Sequence, residues 1–408
     1  MSTVLILGAG QAGGWAARTL RDQGFAGRIV LVGQESHAPY ERPPLSKDIL
    51  LGQGTSVAEL TLLDAATMQA LNIEALLGRC ALRIDRERKT VTLDDGSELA
   101  YDHLVLATGG RARQLLPELA QHPRMFTLRT LDDALRLKES LSQPSHLLII
   151  GGGWIGLEVA ATARQLGHEV TVLEAAPRLC QRSVCAAMSD ELASVHTEQG
   201  VNLRLETTAA QVQPEAAGFV ATLSDGSTLT CTHIVMAAGL LANDELAEQA
   251  GLPCRQGVIV DEQCRSADPH IYAAGDVALR PADGVRPALR LESWQNAQDQ
   301  GMAVAQAILG QQVHYLPTPL VWSQQYDRFI QICGHVDQAQ DTVLRSVKQG
   351  GRLRFYLDAQ GALQGVVGIN AGRDWRAARA LVERREKADP RALADPAIAL
   401  NKLPQALA

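Results

Sequence analysis

No Cys-x-x-Cys pair occurs in this sequence; its seven cysteines stand at 80, 180, 185, 231, 254, 264 and 333. That excludes a ribbon-type zinc site, so no metal centre is expected. An odd, scattered set suits reduced thiols in a cytoplasm rather than a disulfide framework. No apolar run approaches the roughly 20 residues that a membrane span needs. The opening MSTVLILGAGQAGG has no basic leader and runs straight into a strand and a glycine loop, so no signal peptide is expected. Positive charge is also scarce. With 38 Lys and Arg against 45 Asp and Glu, the net charge of −7 argues against nucleic-acid or anionic-membrane partners, while leaving room for a local basic patch. The 408 residues are too many for one core, and two or three domains are expected.

What is present begins with TVLILGAGQAGGWAARTLRDQGFAGRIVLVGQE, residues 3–35. TVLIL reads as a buried parallel strand. Gly8, Gly10 and Gly13 form a GxGxxG loop, a helix follows, and RIVLVG returns as a second strand. Such glycines serve a tight turn, close approach of a pyrophosphate, and tight helix–strand packing. The helix N-terminus adds free N–H groups. Glu35 lies 22 residues after Gly13, where an acid accepts from ribose hydroxyls. The pattern returns in SHLLIIGGGWIGLEVAATARQLGHEVTVLEA, residues 145–175, with Gly151, Gly153, Gly156 and, 18 residues on, Glu174. Each copy follows a strand, opens a helix and ends on an acid, so two dinucleotides are expected. A terminal Glu favours NADH over NADPH, although Arg178, four residues past Glu174, keeps NADPH open.

The segments after each fingerprint also correspond. TVTLDDGSELAYDHLVLATGG (90–110) and FVATLSDGSTLTCTHIVMAAGLLAND (219–244) each carry a DG hairpin turn, then a buried strand closing on glycine. IYAAGDV (271–277) runs a strand into Gly275 and Asp276, which reads as a ligand contact or as a helix cap. Aromatics make up only 4% of the chain, yet Trp322, Tyr326 and Phe329 gather in the last stretch. There RLRFYLDAQGALQGVVGI (352–369) alternates as an antiparallel hairpin, followed by a helix over RDWRAARALVERREK. The expected fold is α/β: two Rossmann-like dinucleotide-binding domains, glutathione-reductase-like, plus a C-terminal α+β domain. The expected division is 1–112 with 240–316, 113–239, and 317–408.

One further stretch is unusual. YERPPLSK (40–47) stiffens a charged loop with two prolines. Together with LGAGQAG, ATGG, IIGGGWIGLEVAA, VLEAAPRL, AAGLLAND, YAAGDV, ESWQNAQDQG, VWSQQYD and ALADPAIALNKL, it makes the chain resemble the pyridine nucleotide-disulfide oxidoreductase superfamily. More narrowly, it resembles the FAD-dependent ferredoxin–NAD(+) reductase component of bacterial aromatic-ring-hydroxylating dioxygenase systems. The resemblance implies that Gly8, Gly10, Gly13 and Glu35 hold the adenosine half of FAD. Thr108 and Gly109 of ATGG would border the same cofactor, and Asp276 its ribityl-phosphate region. Arg42 and Lys47 would lie beside the isoalloxazine, with Lys47 near N5 and acting in catalysis; the alternative is that Lys47 caps a helix begun at Ser46. Gly151, Gly153, Gly156 and Glu174 would bind NADH, with Glu158 near the nicotinamide carboxamide. Trp294 and Trp322 would stand near the flavin, or else fill a core. Trp154 either crowds the nicotinamide or packs under its helix.

The resemblance further implies electron transfer from NADH through FAD to a [2Fe–2S] ferredoxin that feeds a Rieske-type oxygenase. Disulfide reductases of the superfamily need a cysteine pair by the flavin, but PPLSKDILLG has none and Cys80 is the first cysteine in the chain. Cys180 and Cys185 have CxxxxC spacing but follow the second fingerprint. A rubredoxin or a P450-type ferredoxin is the alternative carrier. An NADH-sensing flavoprotein acting by protein interaction is the alternative of another class. Residues 373–387, with six Arg and Lys against three Asp and Glu, form the candidate docking patch for an acidic ferredoxin.

Overall fold

The computed structural model describes residues 2–52, 56–282, 288–336 and 341–403. The chain forms two compact units. The first comprises Met1–Pro44, Thr55–Arg111 and Leu240–Pro317; the second comprises Leu45–Gly54, Ala112–Gly239 and Thr318–Ala408.

In the first unit, Thr3–Leu7 lies at the centre of a five-stranded parallel sheet. The strand order is Ile271–Ala273, His103–Leu106, Thr3–Leu7, Arg28–Gly33, Ile73–Leu77. Successive side chains of a strand point to opposite faces. Val4 and Ile6 therefore enter one apolar cluster while Leu5 and Leu7 enter another. Both faces are covered, which is why the strand reads as an unbroken apolar run. Full burial of each such side chain stabilises the fold by roughly 1.5–3 kcal/mol. Helix Gln11–Asp22 packs on helix Trp294–Ile308, and Gly301 permits the approach: a Cβ there would stand 2.4 Å from the Ala12 carbonyl oxygen. An antiparallel sheet, Ala81–Asp85, Thr90–Leu93 and Glu98–Ala100, carries the first DG turn, with Gly96 at φ 83°.

The second unit repeats this plan. Its parallel sheet runs Asn202–Arg204, Glu169–Leu173, His146–Ile150, His233–Met236, Met125–Thr127. Leu147 and Ile149 face one cluster, Leu148 and Ile150 another. The hairpin partner is Ala209–Glu215, Gly218–Leu223 and Thr228–Cys231, with Gly226 at φ 82° in the second DG turn. The same unit holds a five-stranded antiparallel sheet in the order Leu320–Gln325, Arg328–Gly334, Leu363–Ile369, Arg352–Leu357, Asp341–Ser346. Helix Asp374–Glu383 covers one of its faces through Trp375, Ala378, Leu381 and Val382. The other face meets Leu157, Leu179 and Leu192. The fold is thus α/β with two dinucleotide-binding sheets and an α+β C-terminal part. No described helix is long and apolar enough to cross a membrane.

His233 is 7% exposed on the second parallel sheet. Burial, then Arg124 and His168, lower its imidazole from 6.5 to about 4. A depressed histidine stays neutral in the fold but takes a proton when unfolded, so stability falls as pH drops from about 6.5 towards 4. His233→Gln is expected to lose less melting temperature between pH 6.5 and 4.5 than the parent, as read by thermal unfolding at both values.

Candidate functional site

The two fingerprints are built on the same backbone contact. Gly8 has φ 116°, and a Cβ there would lie 2.1 Å from the Ala107 carbonyl oxygen. Gly151 has φ 117°, and its Cβ would lie 2.3 Å from the Ala237 oxygen. Gly13 and Gly156 then close over Gly8 and Gly151, where a Cβ would come within 1.9 and 2.1 Å of the carbonyl oxygens. Gly10 and Gly153 differ from these. They are the N-caps of helices Gln11–Asp22 and Trp154–Gln165, with no side-chain cap and no acid in the first turn. A Cβ at Gly10 would meet nothing nearer than Arg42 Nη2 at 3.9 Å, and one at Gly153 nothing within 4 Å. Both helix ends therefore offer uncapped N–H groups and room, the arrangement that receives a phosphate. The residues fit a dinucleotide at each copy.

The acid that ends each fingerprint is held differently. Glu35 accepts from Tyr40 Oη and from Arg42 Nη2, each at 2.6 Å. Burial disfavours the Arg42 cation, but Tyr40, Glu35 and Asp276 outweigh it and push its pKa up. Glu174 instead accepts from the backbone N–H of Gly152 at 2.7 Å and of Ala176 at 2.8 Å. Arg178 donates to the carbonyls of Val184 and Gln181 and to Ser189 Oγ. Its guanidinium is committed locally, which favours an unphosphorylated ribose beside Glu174.

Other expected contacts of the first unit lie nearby. Thr108 Oγ1 donates to the Asn243 carbonyl at 2.7 Å, and Asn243 Nδ2 returns a bond to the Thr108 carbonyl at 3.0 Å. Gly109 takes φ 62°. Gly275, at φ 76°, donates its N–H to Gln300 Oε1 and presents Asp276 in a short 3₁₀ turn. Trp294 opens its helix behind the Ser293 cap. The Gln11 amide, oriented to satisfy both indoles, accepts from Trp15 Nε1 at 3.1 Å and Trp294 Nε1 at 3.0 Å. Sequence reasoning missed Gln11, because a glutamine inside a glycine loop carries no distinctive spacing.

The proline-rich loop divides between the units after Pro44. Arg42 stays with Glu35, whereas Lys47 belongs to the second unit. Lys47 Nζ pairs with Glu158 Oε2 at 2.6 Å and lies 5.3 Å from the Trp322 ring centroid. The three residues expected to act in catalysis are therefore neighbours. Lys47 and Glu158 are 12% and 4% exposed, so removing either would strand a buried charge, at a cost of about 3–5 kcal/mol. Trp154 packs against the cluster of Leu157 and Tyr356, and its indole N–H has no partner among the described residues.

In the arginine-rich helical region, Arg379 pairs with Glu383 and Arg384 with Glu386, acids already within its charge balance, and Arg385 pairs with Asp358 from outside it, so a net positive excess remains. Cys180 is buried, and burial, followed by Glu174 and Glu158, pushes its thiol up, the opposite of a reactive thiolate. Among the described residues no group of three or more His, Cys, Asp or Glu could hold a metal ion.

Residues 2–301 match the pyridine nucleotide-disulphide oxidoreductase family, and residues 320–404 match a reductase C-terminal domain. The chain belongs to the pyridine nucleotide-disulphide oxidoreductase family. As a family member it is an oxidoreductase that binds FAD and NAD(H), in keeping with the two uncapped glycine loops. It is 39% identical to rhodocoxin reductase of Rhodococcus erythropolis over 96% of this chain and 92% of that protein. It is 38% identical to the benzene 1,2-dioxygenase system ferredoxin–NAD(+) reductase subunit of Pseudomonas putida over 96% of this chain and 95% of that one. Among solved structures, the covalent putidaredoxin reductase–putidaredoxin complex matches with a TM-score of 0.92 at 32% identity, covering 98% of this chain and 97% of that one.

Glu35→Ala removes the acceptor that Tyr40 and Arg42 share. The variant oxidoreductase is expected to lose FAD about tenfold more readily, as a hydrogen-bonded charge is deleted. Flavin released on dilution, followed by its fluorescence, measures this; a fully yellow protein that resists stripping contradicts the assignment.

Proposed function

We propose that this oxidoreductase is the ferredoxin–NAD(+) reductase of an aromatic-ring dioxygenase system, passing electrons from NADH through FAD to a [2Fe–2S] ferredoxin that feeds a Rieske-type oxygenase. The observation that carries the reading is near full-length similarity to such reductases, including the benzene dioxygenase subunit at 38% identity. The cysteine-free PPLSKDILLG segment and the lack of any Cys-x-x-Cys agree, because glutathione-reductase-type members carry their cysteine pair in the former and thioredoxin-reductase-type members carry the latter motif. A cytoplasmic location is part of the proposal, supported by the free cysteines.

FAD, when bound, supplies hydride acceptance from NADH and release of electrons one at a time. The protein's own residues supply binding and electrostatics. The N–H groups at Gly10 and Gly153 take the pyrophosphates, and Glu35 and Glu174 take ribose hydroxyls. Asp276 and Thr108–Gly109 border the flavin's site, with Trp294 fixed by Gln11. Lys47 is a held cation, steadied by Glu158 and by the Trp322 face, that favours negative charge on the reduced cofactor. Glu158 orients the nicotinamide amide. No general base is required.

A second carrier class is supported by one comparison: the ferredoxin reductase for the CYP199A2 system of Rhodopseudomonas palustris matches with a TM-score of 0.93 at 36% identity, covering 98% of this chain and 99% of that one. A P450-type ferredoxin is therefore the alternative partner, with a rubredoxin beside it as the remaining carrier choice. NADH-dependent cytochrome c reduction, with and without a dioxygenase-type [2Fe–2S] ferredoxin, separates the readings. Strong stimulation by that ferredoxin, falling with added salt, is expected. Flavin bleached by NADH without stimulation would move the assignment to another carrier.

A further inference from the structure

Glu158 is the end of a longer chain of polar groups. Ser46 Oγ and Lys47 Nζ donate to its Oε2, and Ser323 Oγ donates to Oε1 at 2.7 Å. Since the Ser323 hydrogen is committed to the carboxylate, its oxygen is the acceptor for Gln325 Nε2 at 3.0 Å. That orientation points Gln325 Oε1 at His196 Nε2, 2.9 Å away, so Nε2 carries the hydrogen. His196 Nδ1 is left to accept from Tyr326 Oη at 3.4 Å. Every donor in the series, from Tyr326 through His196, Gln325 and Ser323, therefore points towards Glu158.

The series is buried from His196 inwards, and Tyr326 is half-buried at its outer end. His196 and Ser323 are 0% exposed and Gln325 is 2% exposed. Burial lowers the His196 pKa, against the raising effect of Gln325, which keeps the ring neutral with one hydrogen to donate. Burial pushes Tyr326 up to about 12, so its hydroxyl keeps its proton. The backbone provides a separate observation. Tyr326 sits at φ 54° in the two-residue turn between strands Leu320–Gln325 and Arg328–Gly334. That left-handed conformation is unfavourable for an aromatic residue and persists where surrounding contacts hold it. Here the tyrosine ring packs edge-on against His196, with centroids 5.3 Å apart.

We propose that Ser323, Gln325 and His196 are positioning residues for Glu158: a one-way series of hydrogen-bond donors, anchored at Tyr326, that fixes the carboxylate against Lys47 and so sets how the nicotinamide of NADH is received. Aligned donors stabilise a buried anion and restrict its rotamer, while Lys47 and Ser46 hold its other oxygen. The inference rests on the proposed role of Glu158 at the nicotinamide. It adds residues from helix Ala186–Glu198 and the C-terminal sheet that make no expected contact with either cofactor.

The test uses the FAD-loaded full chain and NAD⁺ as the probe, with affinity read from perturbation of the flavin absorbance. Ser323→Ala is expected to weaken NAD⁺ binding about tenfold, the effect of losing a hydrogen bond to a charged group, and His196→Leu, which removes a bond to the neutral Gln325 amide, about threefold. Both should retain parental FAD content. Ser323→Thr, which keeps the hydroxyl, should restore binding, and the double variant should be no weaker than Ser323→Ala alone, because the residues act in series. Parental NAD⁺ affinity in the single variants, or fully additive losses, overturns the proposal. The wild-type protein labelled with ¹⁵N-histidine gives a check that needs no substitution: His196 is expected as the Nε2–H tautomer, and an Nδ1–H or doubly protonated ring overturns it even if a variant fails to fold. Failure of NADH to bleach the parent flavin would instead refute the proposed function.

Discussion

Gly8 and Gly151 each place the backbone where a side chain would collide with a carbonyl oxygen of a neighbouring strand end, 2.1 and 2.3 Å away. The layout of each nucleotide loop depends on that contact. It lets the strand end turn sharply, leaves the carbonyl of Gly8 or Gly151 where Gly13 or Gly156 closes over it, and aims the next helix so that its first N–H groups stay uncapped. A larger residue at either position would move the helix, and with it the part of the loop suited to a phosphate. The binding chemistry is thus a by-product of a packing constraint.

Three carboxylates show how one functional group is adapted to different tasks. Glu35 is paired with Arg42 and Tyr40, Glu174 is held by two backbone N–H groups, and Glu158 is gripped by a lysine and two serines. Each is satisfied, as low-dielectric surroundings require. Glu158 is the most deeply buried of them, and the polar series behind it is correspondingly long. The C-terminal sheet has a direct part in this, since Trp322 meets Lys47 and Ser323 meets Glu158 from the same strand.

Local patterns were the readable part. The apolar runs TVLIL and HLLII, the DG turns at Gly96 and Gly226, and the alternation of RLRFYL all formed the elements that their periodicity implies. The duplication was legible for the same reason, because both copies obey one backbone rule. Less legible was the proline-rich loop: Arg42 and Lys47 look alike in sequence, five residues apart, yet they belong to different compact units. In the arginine-rich segment at 373–387 the cationic excess was countable from sequence, but which arginines pair, and that Asp358 reaches Arg385, was not.

The sequence by itself determined the α/β class, the two glycine loops and the acids that end them, because these depend on spacing within some thirty residues and on conformations that only glycine adopts cheaply. The tertiary structure alone decided which charges meet. Lys47, Glu158, His196 and Ser323 are far apart in the chain, and no periodicity relates them. Their convergence comes from the C-terminal sheet packing on the second nucleotide fold, where burial favours the pairing of polar groups.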